Sequence, residues 1–282
     1  MSELRAARVE VDLAAVAHNV RQLRSLTPPG TRFMAVVKAD GYGHGAVRVA
    51  RAAVDAGADR LGVATVAEAI ELREAGVAVP LQLLSEPPVT AVPTLLRHEI
   101  VPTVTTREFA VELGRHAANS GRVAPYHLKI DTGMNRIGVR AEDAVEFARA
   151  LKDFPGLELE GVMTHFATAE TPGDWDFEHQ LERFERVRAE LRTDGIREGL
   201  VSAANSGATI LHPGSHYRMV RCGISVYGLH PGSSTRGVVD LRPAMRVSAR
   251  VSFVKRIAMG EGVSYGLTWR ASAPTTVATL PL

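Results

Sequence analysis

Apolar segments typical of buried strands alternate with amphipathic segments typical of helices from residue 33 to residue 224. The strands are predicted at 33–38, 60–65, 80–85, 101–105, 126–131, 157–165, 200–205 and 219–224, and the helices at 46–57, 66–76, 88–98, 107–120, 142–153, 174–194 and 206–212. Eight strand–helix units over about 200 residues are typical of an α/β fold of the (β/α)8 TIM barrel type. An open doubly wound sheet is the alternative, but no Gly-x-Gly-x-x-Gly follows a first strand.

The pattern changes on both sides of this repeat. Residues 8–13 alternate as a short strand before a helix at 13–26, residues 245–257 alternate as another strand, and 275–282 begin a further one. We therefore predict a barrel domain over 14–235 and the start of a second, all-β domain formed by 1–13 and 236–282. We expect this second domain to be incomplete, because the sequence stops within a predicted strand.

Composition excludes several classes of protein. The net charge is +2, and arginines are interleaved with acids without a basic run, so we expect no nucleic-acid partner. The N-terminus has no continuous apolar segment, so we expect no signal peptide and no membrane anchor. Cys222 is the single cysteine, which excludes an intrachain disulfide and favours a cytoplasmic location.

The first barrel strand ends on a lysine that glycines follow. The apolar run 33–37 delivers Lys38, and Gly41, Gly43 and Gly45 come directly after it. Only four of the 33 basic residues of the chain are lysines, and a buried ammonium is costly unless it has a use. An amine at a strand end before a glycine loop suits a Schiff base with a carbonyl cofactor, whereas the alternative is a solvated lysine before a flexible loop.

Other chemistry-bearing side chains also fall at predicted strand ends, where barrel enzymes place their active sites. They are Lys129 and Asp131 on the fifth strand, Arg136 after it, His165 at the end of the sixth, Asn205 and Ser206 where the seventh ends, and Arg221, Gly223 and Ile224 on the eighth. Each has a structural alternative: a neutralising charge pair for Lys129 and Asp131, a core histidine for His165, and a helix N-cap for Ser206.

Two further features indicate which kind of site is present. The glycine-flanked loop of Arg136 is suited to holding a guanidinium against a carboxylate. The pair His212 and His216 has the spacing of metal ligands, but Pro213 and Gly214 separate them and no third ligand accompanies them. We therefore predict no metal site.

Several segments together resemble the alanine racemase family. They are AVVKADGYGHG at 35–45, HLKIDTGMNRIG at 127–138, MTHFAT at 163–168, ANSG at 204–207, VRCGISVYGL at 220–229 and EGVSYG at 261–266. The resemblance implies pyridoxal phosphate held covalently on Lys38 and contacted by Tyr42, His165, Asn205, Ser206, Arg221, Gly223 and Ile224. It also implies that Arg136 binds the substrate carboxylate and that Lys129 is a candidate for carbamylation.

The same resemblance implies racemisation of alanine by two bases, which supplies D-alanine for peptidoglycan. Lys38 is the first base, and Tyr265 is the second, entering from the partner subunit of a head-to-tail homodimer. We expect a chain that ends at Leu282 to bind cofactor weakly, dimerise poorly and have little activity.

Other functions remain open at this stage. A related barrel racemase or decarboxylase could act on another amino acid, and a carboxylate in place of Arg221 would favour the decarboxylase. A non-catalytic pyridoxal-phosphate carrier would resemble the barrel alone, and an aldolase would use Lys38 without a cofactor.

Overall fold

A computed structural model describes residues 6–281 of the chain. These residues form two compact units. The larger unit comprises residues 13–244, and the smaller one combines residues 6–12 with residues 245–281. Each unit is described by itself.

The described residues contain fifteen strands and nine α-helices. The strands are β1 (Ala7–Val11), β2 (Arg32–Val36), β3 (Arg60–Val63), β4 (Leu81–Leu83), β5 (Ile100–Val101), β6 (Thr103–Val104), β7 (Ala124–Asp131), β8 (Val139–Arg140), β9 (Leu157–Met163), β10 (Met219–Cys222), β11 (Met245–Ala249), β12 (Phe253–Ile257), β13 (Gly262–Val263), β14 (Trp269–Arg270) and β15 (Thr275–Thr279). The helices are α1 (Leu13–Ser25), α2 (Lys38–Gly43), α3 (Ala46–Asp55), α4 (Val66–Glu74), α5 (Val92–Arg97), α6 (Arg107–Asn119), α7 (Ala144–Leu151), α8 (Trp175–Thr193) and α9 (Ser206–Leu211).

Parallel strands of the larger unit close into a barrel. One sheet has the order β10-β2-β3-β4-β5, and β6 pairs with β7, which in turn pairs with β9. Residues 200–205 complete the circle, since the Ser202 amide donates to Val162 O at 3.0 Å and the Arg221 amide donates to Ala204 O at 2.9 Å. All residues of β2, β3 and β4 except Arg32 are buried, as expected for strands covered on both faces.

Several predicted elements differ from the observed ones, and the predicted strand at 101–105, for example, is divided into β5 and β6. Residues 200–205 make barrel hydrogen bonds to both neighbours but form only isolated bridges, so no regular strand is present there. The predicted helix at 88–98 is a 3-10 turn at Val89–Ala91 followed by α5, which has a proline in its first turn. The predicted strand at 245–257 is divided into β11 and β12, which pair with different strands.

The lysine that follows β2 opens a left-handed turn. Ala39, Asp40, Gly41 and Tyr42 have φ between 51° and 60° and ψ between 38° and 53°. A left-handed helical conformation costs roughly 1–2 kcal/mol for each non-glycine residue, so three of them together store about 3–6 kcal/mol. Surrounding contacts must offset this strain.

The smaller unit is made of antiparallel pairs. β1 pairs with β11, β12 pairs with β15, and β13 pairs with β14. Together with the parallel barrel, this gives an α/β barrel unit and a β unit within the described residues. No helix among residues 6–281 is both long enough and apolar enough to cross a membrane.

Candidate active site

A pocket of about 450 Å³ opens where the barrel strands end. Nearly all of the predicted site residues line it: Lys38, Tyr42, Lys129, Arg136, His165, Asn205, Ser206, Arg221, Gly223 and Ile224. Four of these side chains are cationic, whereas Glu170 is the one carboxylate among the lining residues described. The excess of positive charge suits a ligand with more than one anionic group. Tyr265 belongs to the β unit, where its side chain is 99% exposed.

One end of the pocket collects hydroxyl and amide groups around Gly223. The Gly223 amide donates to Ser206 Oγ at 3.1 Å, and the Ser225 amide donates to the same oxygen at 3.4 Å. A Cβ on Gly223 would lie 2.7 Å from the hydroxyl oxygen of Tyr42, so only glycine leaves room for that hydroxyl. Hydroxyls and backbone amides converging in this way suit the oxygens of a phosphate group.

The other end of the pocket is organised by Arg221. This side chain is 4% exposed and donates to Ser202 Oγ, to Thr164 O at 2.6 Å and to His165 Nδ1 at 3.2 Å. Burial lowers the pKa of Arg221 to about 10, which leaves the guanidinium charged at neutral pH. Because a guanidinium only donates, Nδ1 of His165 must be the acceptor and the proton of the neutral ring is on Nε2. Burial and the charge of Arg221 lower the pKa of His165 well below its usual value, in agreement with a neutral ring.

Lys129 faces these cations from β7. Its side chain is 8% exposed, and its pKa is lowered to about 8 by burial and by the charges of Arg221 and Arg136. Among residues 6–281 Lys129 makes no direct ion pair with Asp131, whose nearby charge only partly opposes the lowering of the Lys129 pKa. Asp131 instead accepts hydrogen bonds from the amides of Gly133 and Asn135, both at 3.0 Å. It thereby shapes the loop that carries Arg136 to the rim of the pocket.

Asn205, and not Ser206, caps α9. The N-cap of α9 is Asn205, whose side-chain oxygen accepts from the Ala208 amide at 3.0 Å, so the cap interpretation of Ser206 was wrong. The amide group of Asn205 also donates to Phe166 O at 3.1 Å. Asn205 therefore ties the start of α9 to the segment after His165, and the Ser206 hydroxyl is left facing Gly223.

Sequence reasoning missed Gln180, which lies on α8 and is 2% exposed. Its amide oxygen accepts from the Ala167 amide at 2.8 Å, and its amide nitrogen donates to His165 O at 3.1 Å and to Thr132 Oγ1 at 3.4 Å. Thr132 and Thr164 also share a hydroxyl hydrogen bond of 2.8 Å. These bonds join the Arg136 loop to the end of β9. A glutamine inside an amphipathic helix carries no sequence signal for this role.

Residues 6–281 contain no group of three or more His, Cys, Asp or Glu side chains able to hold a metal ion. His212 and His216 each bond to a backbone carbonyl, of Ala169 at 3.0 Å and of Thr209 at 2.9 Å. Burial lowers the pKa of both histidines.

Comparison with known proteins relates both units to one family. Residues 11–231 match the family model "Alanine racemase, N-terminal domain", and residues 244–282 match "Alanine racemase, C-terminal domain". An alanine racemase from Desulfovibrio desulfuricans is 42% identical over 273 residues, which cover 97% of this chain and 74% of that protein. The crystal structure of alanine racemase from E. faecalis is similar with a TM-score of 0.89 at 37% identity, over 100% of this chain and 76% of that one. Alanine racemase from Bartonella henselae with covalently bound pyridoxal phosphate is similar with a TM-score of 0.85 at 27% identity, over 98% of this chain and 75% of that one.

Proposed function

This chain belongs to the alanine racemase family, and from that premise we propose that it interconverts L-alanine and D-alanine with pyridoxal phosphate bound covalently to Lys38. The chain is a pyridoxal-phosphate-dependent amino-acid racemase, an isomerase. The observation that carries the assignment of residues is that Lys38 opens onto the same pocket as Arg136, His165, Ser206 and Arg221.

The pocket fits the cofactor at both of its polar ends. The Tyr42 hydroxyl, the Ser206 hydroxyl and the Gly223 and Ile224 backbone would hold the phosphate, while His165 would lie against the ring. Lys38 supplies the amine that forms the covalent link to the aldehyde. When bound, the cofactor supplies an electron sink for the pair left behind when a Cα–H bond breaks.

Arg221 restricts the reaction to racemisation. Its hydrogen bonds to Thr164, His165 and Ser202 aim a permanent cation at the pocket, where a ring nitrogen would meet it. A cation there would disfavour protonation of that nitrogen and would weaken the electron sink, which favours racemisation over decarboxylation. A decarboxylase would favour a carboxylate at this position. The family match also extends over the β unit, which a cofactor carrier resembling the barrel alone would lack.

Arg136 and Lys129 would hold the substrate. Arg136 is exposed at the pocket rim, where its planar guanidinium group would bind the carboxylate of alanine through two hydrogen bonds. Lys129 has a pKa near 8, so part of it is neutral at physiological pH and able to react with CO2. A carbamate on Lys129 would place an anion among the cations and orient Arg136.

Proton transfer needs one base on each face of Cα. Lys38 would serve one face, where its amine would take up or return the proton at Cα. Tyr265 would serve the other face, and we propose that it enters from a second copy in a head-to-tail homodimer. Its hydroxyl-bearing ring is 99% exposed within the β unit, which supports that arrangement. Exposed apolar side chains of the same unit, Val247, Phe253 and Trp269, also support a partner surface.

Chain complementation tests the dimer. Lys38→Ala and Tyr265→Phe each remove one base, and neither variant alone should racemise alanine. When the two variants are mixed and allowed to exchange subunits, the mixture should regain about a quarter of the wild-type rate. Half of the dimers then contain one chain of each variant, and each such dimer has one intact site out of two. Absence of any regain would exclude a site shared between two chains.

Borohydride reduction tests the cofactor assignment. The wild-type chain incubated with pyridoxal phosphate and reduced should carry a pyridoxyl group on the peptide containing Lys38, detected by mass spectrometry. Lys38→Ala should lose that adduct, and Lys255→Ala, which changes a lysine of the β unit, should keep it. An adduct on another lysine would overturn the assignment.

We further propose that the D-alanine product serves peptidoglycan synthesis and that the enzyme works in the cytoplasm, where a free thiol such as Cys222 persists.

A further inference from the structure

Different contacts hold the backbone before Lys38 and the backbone after it. Toward the N-terminus, β2 is fixed in the barrel, and the Val37 amide donates to Gly62 O at 2.8 Å. Toward the C-terminus, the chain turns at once into the left-handed conformation of residues 39–42, which L residues adopt rarely. The direction in which the Lys38 amine leaves the backbone therefore depends on what holds that turn.

One carboxylate on a neighbouring helix holds the start of the turn. Oε1 of Glu68 accepts a hydrogen bond of 2.8 Å from the amide of Ala39, the first left-handed residue. Oε2 of the same carboxylate accepts from the amides of Ala64 at 2.8 Å and Thr65 at 3.2 Å, just after β3. Glu68 thus ties the residue after Lys38 to the end of the adjacent barrel strand, and Ala64 there lines the pocket.

The same side chain also completes a capping box on α4. The Thr65 hydroxyl accepts from the Glu68 amide at 3.2 Å, and the Glu68 carboxylate accepts from the Thr65 amide. A capping box needs only one carboxylate oxygen, and here the second oxygen is used for Ala39. The far end of the turn has its own acid, since Asp40 Oδ1 accepts from the Ala46 amide at 2.7 Å.

We propose that Glu68 is a positioning residue for Lys38. Through the Ala39 amide it keeps residues 39–42 in the left-handed turn, and it thereby directs the Lys38 amine into the pocket before the cofactor arrives. Ala39 is exposed, so without Glu68 water satisfies its amide and the turn is free to relax toward the right-handed conformation. This inference rests on the proposed role of Lys38 and adds a residue that lies outside the pocket lining.

Glu68→Gln tests the proposal on the full chain. Glutamine keeps one acceptor but presents a donor on the other side, so it cannot satisfy the amides of Ala39 and Ala64 together. We expect hydrogen exchange at Ala39 and Tyr42 to accelerate in the cofactor-free chain. We also expect the rate of borohydride-trapped adduct formation on Lys38 to fall about tenfold, which corresponds to about 1.4 kcal/mol.

Thr65→Ala and Glu71→Gln are the matched controls. Thr65→Ala weakens the same helix start but keeps the carboxylate, and Glu71→Gln makes the same chemical change at an exposed position one turn along α4. Both should form the adduct within about twofold of the wild-type rate. An equal loss in Thr65→Ala would assign the effect to helix stability and overturn the proposal, as would a wild-type rate in Glu68→Gln.

Failure of the proposed function gives a different result. If the wild-type chain formed no adduct on Lys38, the assignment of the cofactor lysine would be lost, while amide exchange would still decide the role of Glu68. Unchanged exchange at Ala39 in Glu68→Gln would overturn the positioning proposal on its own. Faster exchange there, with unchanged exchange in Thr65→Ala, would support it.

Discussion

Replacement of Gln180 by leucine should separate two parts of the active site that its amide group joins. Leucine has a similar volume but makes none of the bonds to Ala167, His165 and Thr132. The two shorter bonds contribute about 1 kcal/mol each, and leaving a buried carbonyl without a donor adds about 1 kcal/mol, so we expect a loss of about 2–3 kcal/mol. For a domain of this size, that corresponds to a fall in melting temperature of about 4–12 °C.

The functional effect should appear in substrate binding. Gln180 holds the loop that begins at Thr132 and ends beyond Arg136, so its loss should disturb the carboxylate site more than the chemistry. We expect KM for L-alanine to rise about tenfold while kcat changes less, which is the pattern of lost ground-state binding. Differential scanning fluorimetry and initial-rate kinetics measure the two effects.

Gln22→Leu is the matched control for this prediction. Gln22 is half-buried on α1, and its side-chain amide makes no hydrogen bond with the described residues, so the same chemical change there should leave both measurements nearly unaltered. A melting temperature of Gln180→Leu within about 1 °C of the wild-type value would contradict this prediction. A fall in kcat with an unchanged KM would contradict it as well.

Three further results are expected from the charges and close contacts in the barrel. Lys129 has a pKa of about 8, so its neutral fraction should rise from about one tenth at pH 7 to about nine tenths at pH 9. A carbamate signal in carbon-13 NMR with labelled bicarbonate should grow with this neutral fraction. The signal should be absent in Lys129→Arg. Despite its burial, Glu160 has its pKa lowered to about 2 by His127 and Arg60, so the stability that the carboxylate contributes is present above pH 4.5 and is lost as the pH falls toward 2. The free energy of unfolding of Glu160→Gln in urea should therefore be lower than that of wild type by about 3 kcal/mol at pH 7 and by much less at pH 2. A difference independent of pH would contradict this. Gly223→Ala should weaken pyridoxal-phosphate binding at least tenfold in a fluorescence titration, because its Cβ would lie 2.7 Å from the hydroxyl oxygen of Tyr42, and unchanged affinity would show that this hydroxyl does not contribute.

Much of the candidate site was predictable because strand ends of a barrel share one rim. The position of Lys38 before its glycines, the glycine-flanked loop of Arg136 and the residues of the eighth strand are local patterns, and a βα repeat is enough to bring them to one pocket. Ser206 was singled out correctly as a polar group at the pocket, but its neighbour Asn205 takes the cap. Which of two adjacent polar residues caps a helix depends on the angle at which the chain enters it, and the sequence does not specify that angle.

Other features depended on contacts between distant parts of the chain. Glu68 carries a local signal, the capping box with Thr65, yet its bond to Ala39 joins residues 29 apart. Gln180 joins segments 13 to 48 residues away and has no local signal. Hydrogen bonds of this kind require the closed barrel, because closure brings the partner groups within hydrogen-bonding distance.

The sequence by itself indicated the barrel and the β unit, since hydrophobic period is a property of short segments, and its motifs indicated the rim side chains through their resemblance to a known family. Only the tertiary structure decided the states of those side chains. Burial among cations lowers the pKa of Lys129 to about 8 and keeps His165 neutral, and those shifts depend on how close Arg221 comes from another strand. The left-handed turn after Lys38 is likewise a tertiary outcome, because a strained backbone persists only where contacts from elsewhere in the fold hold it.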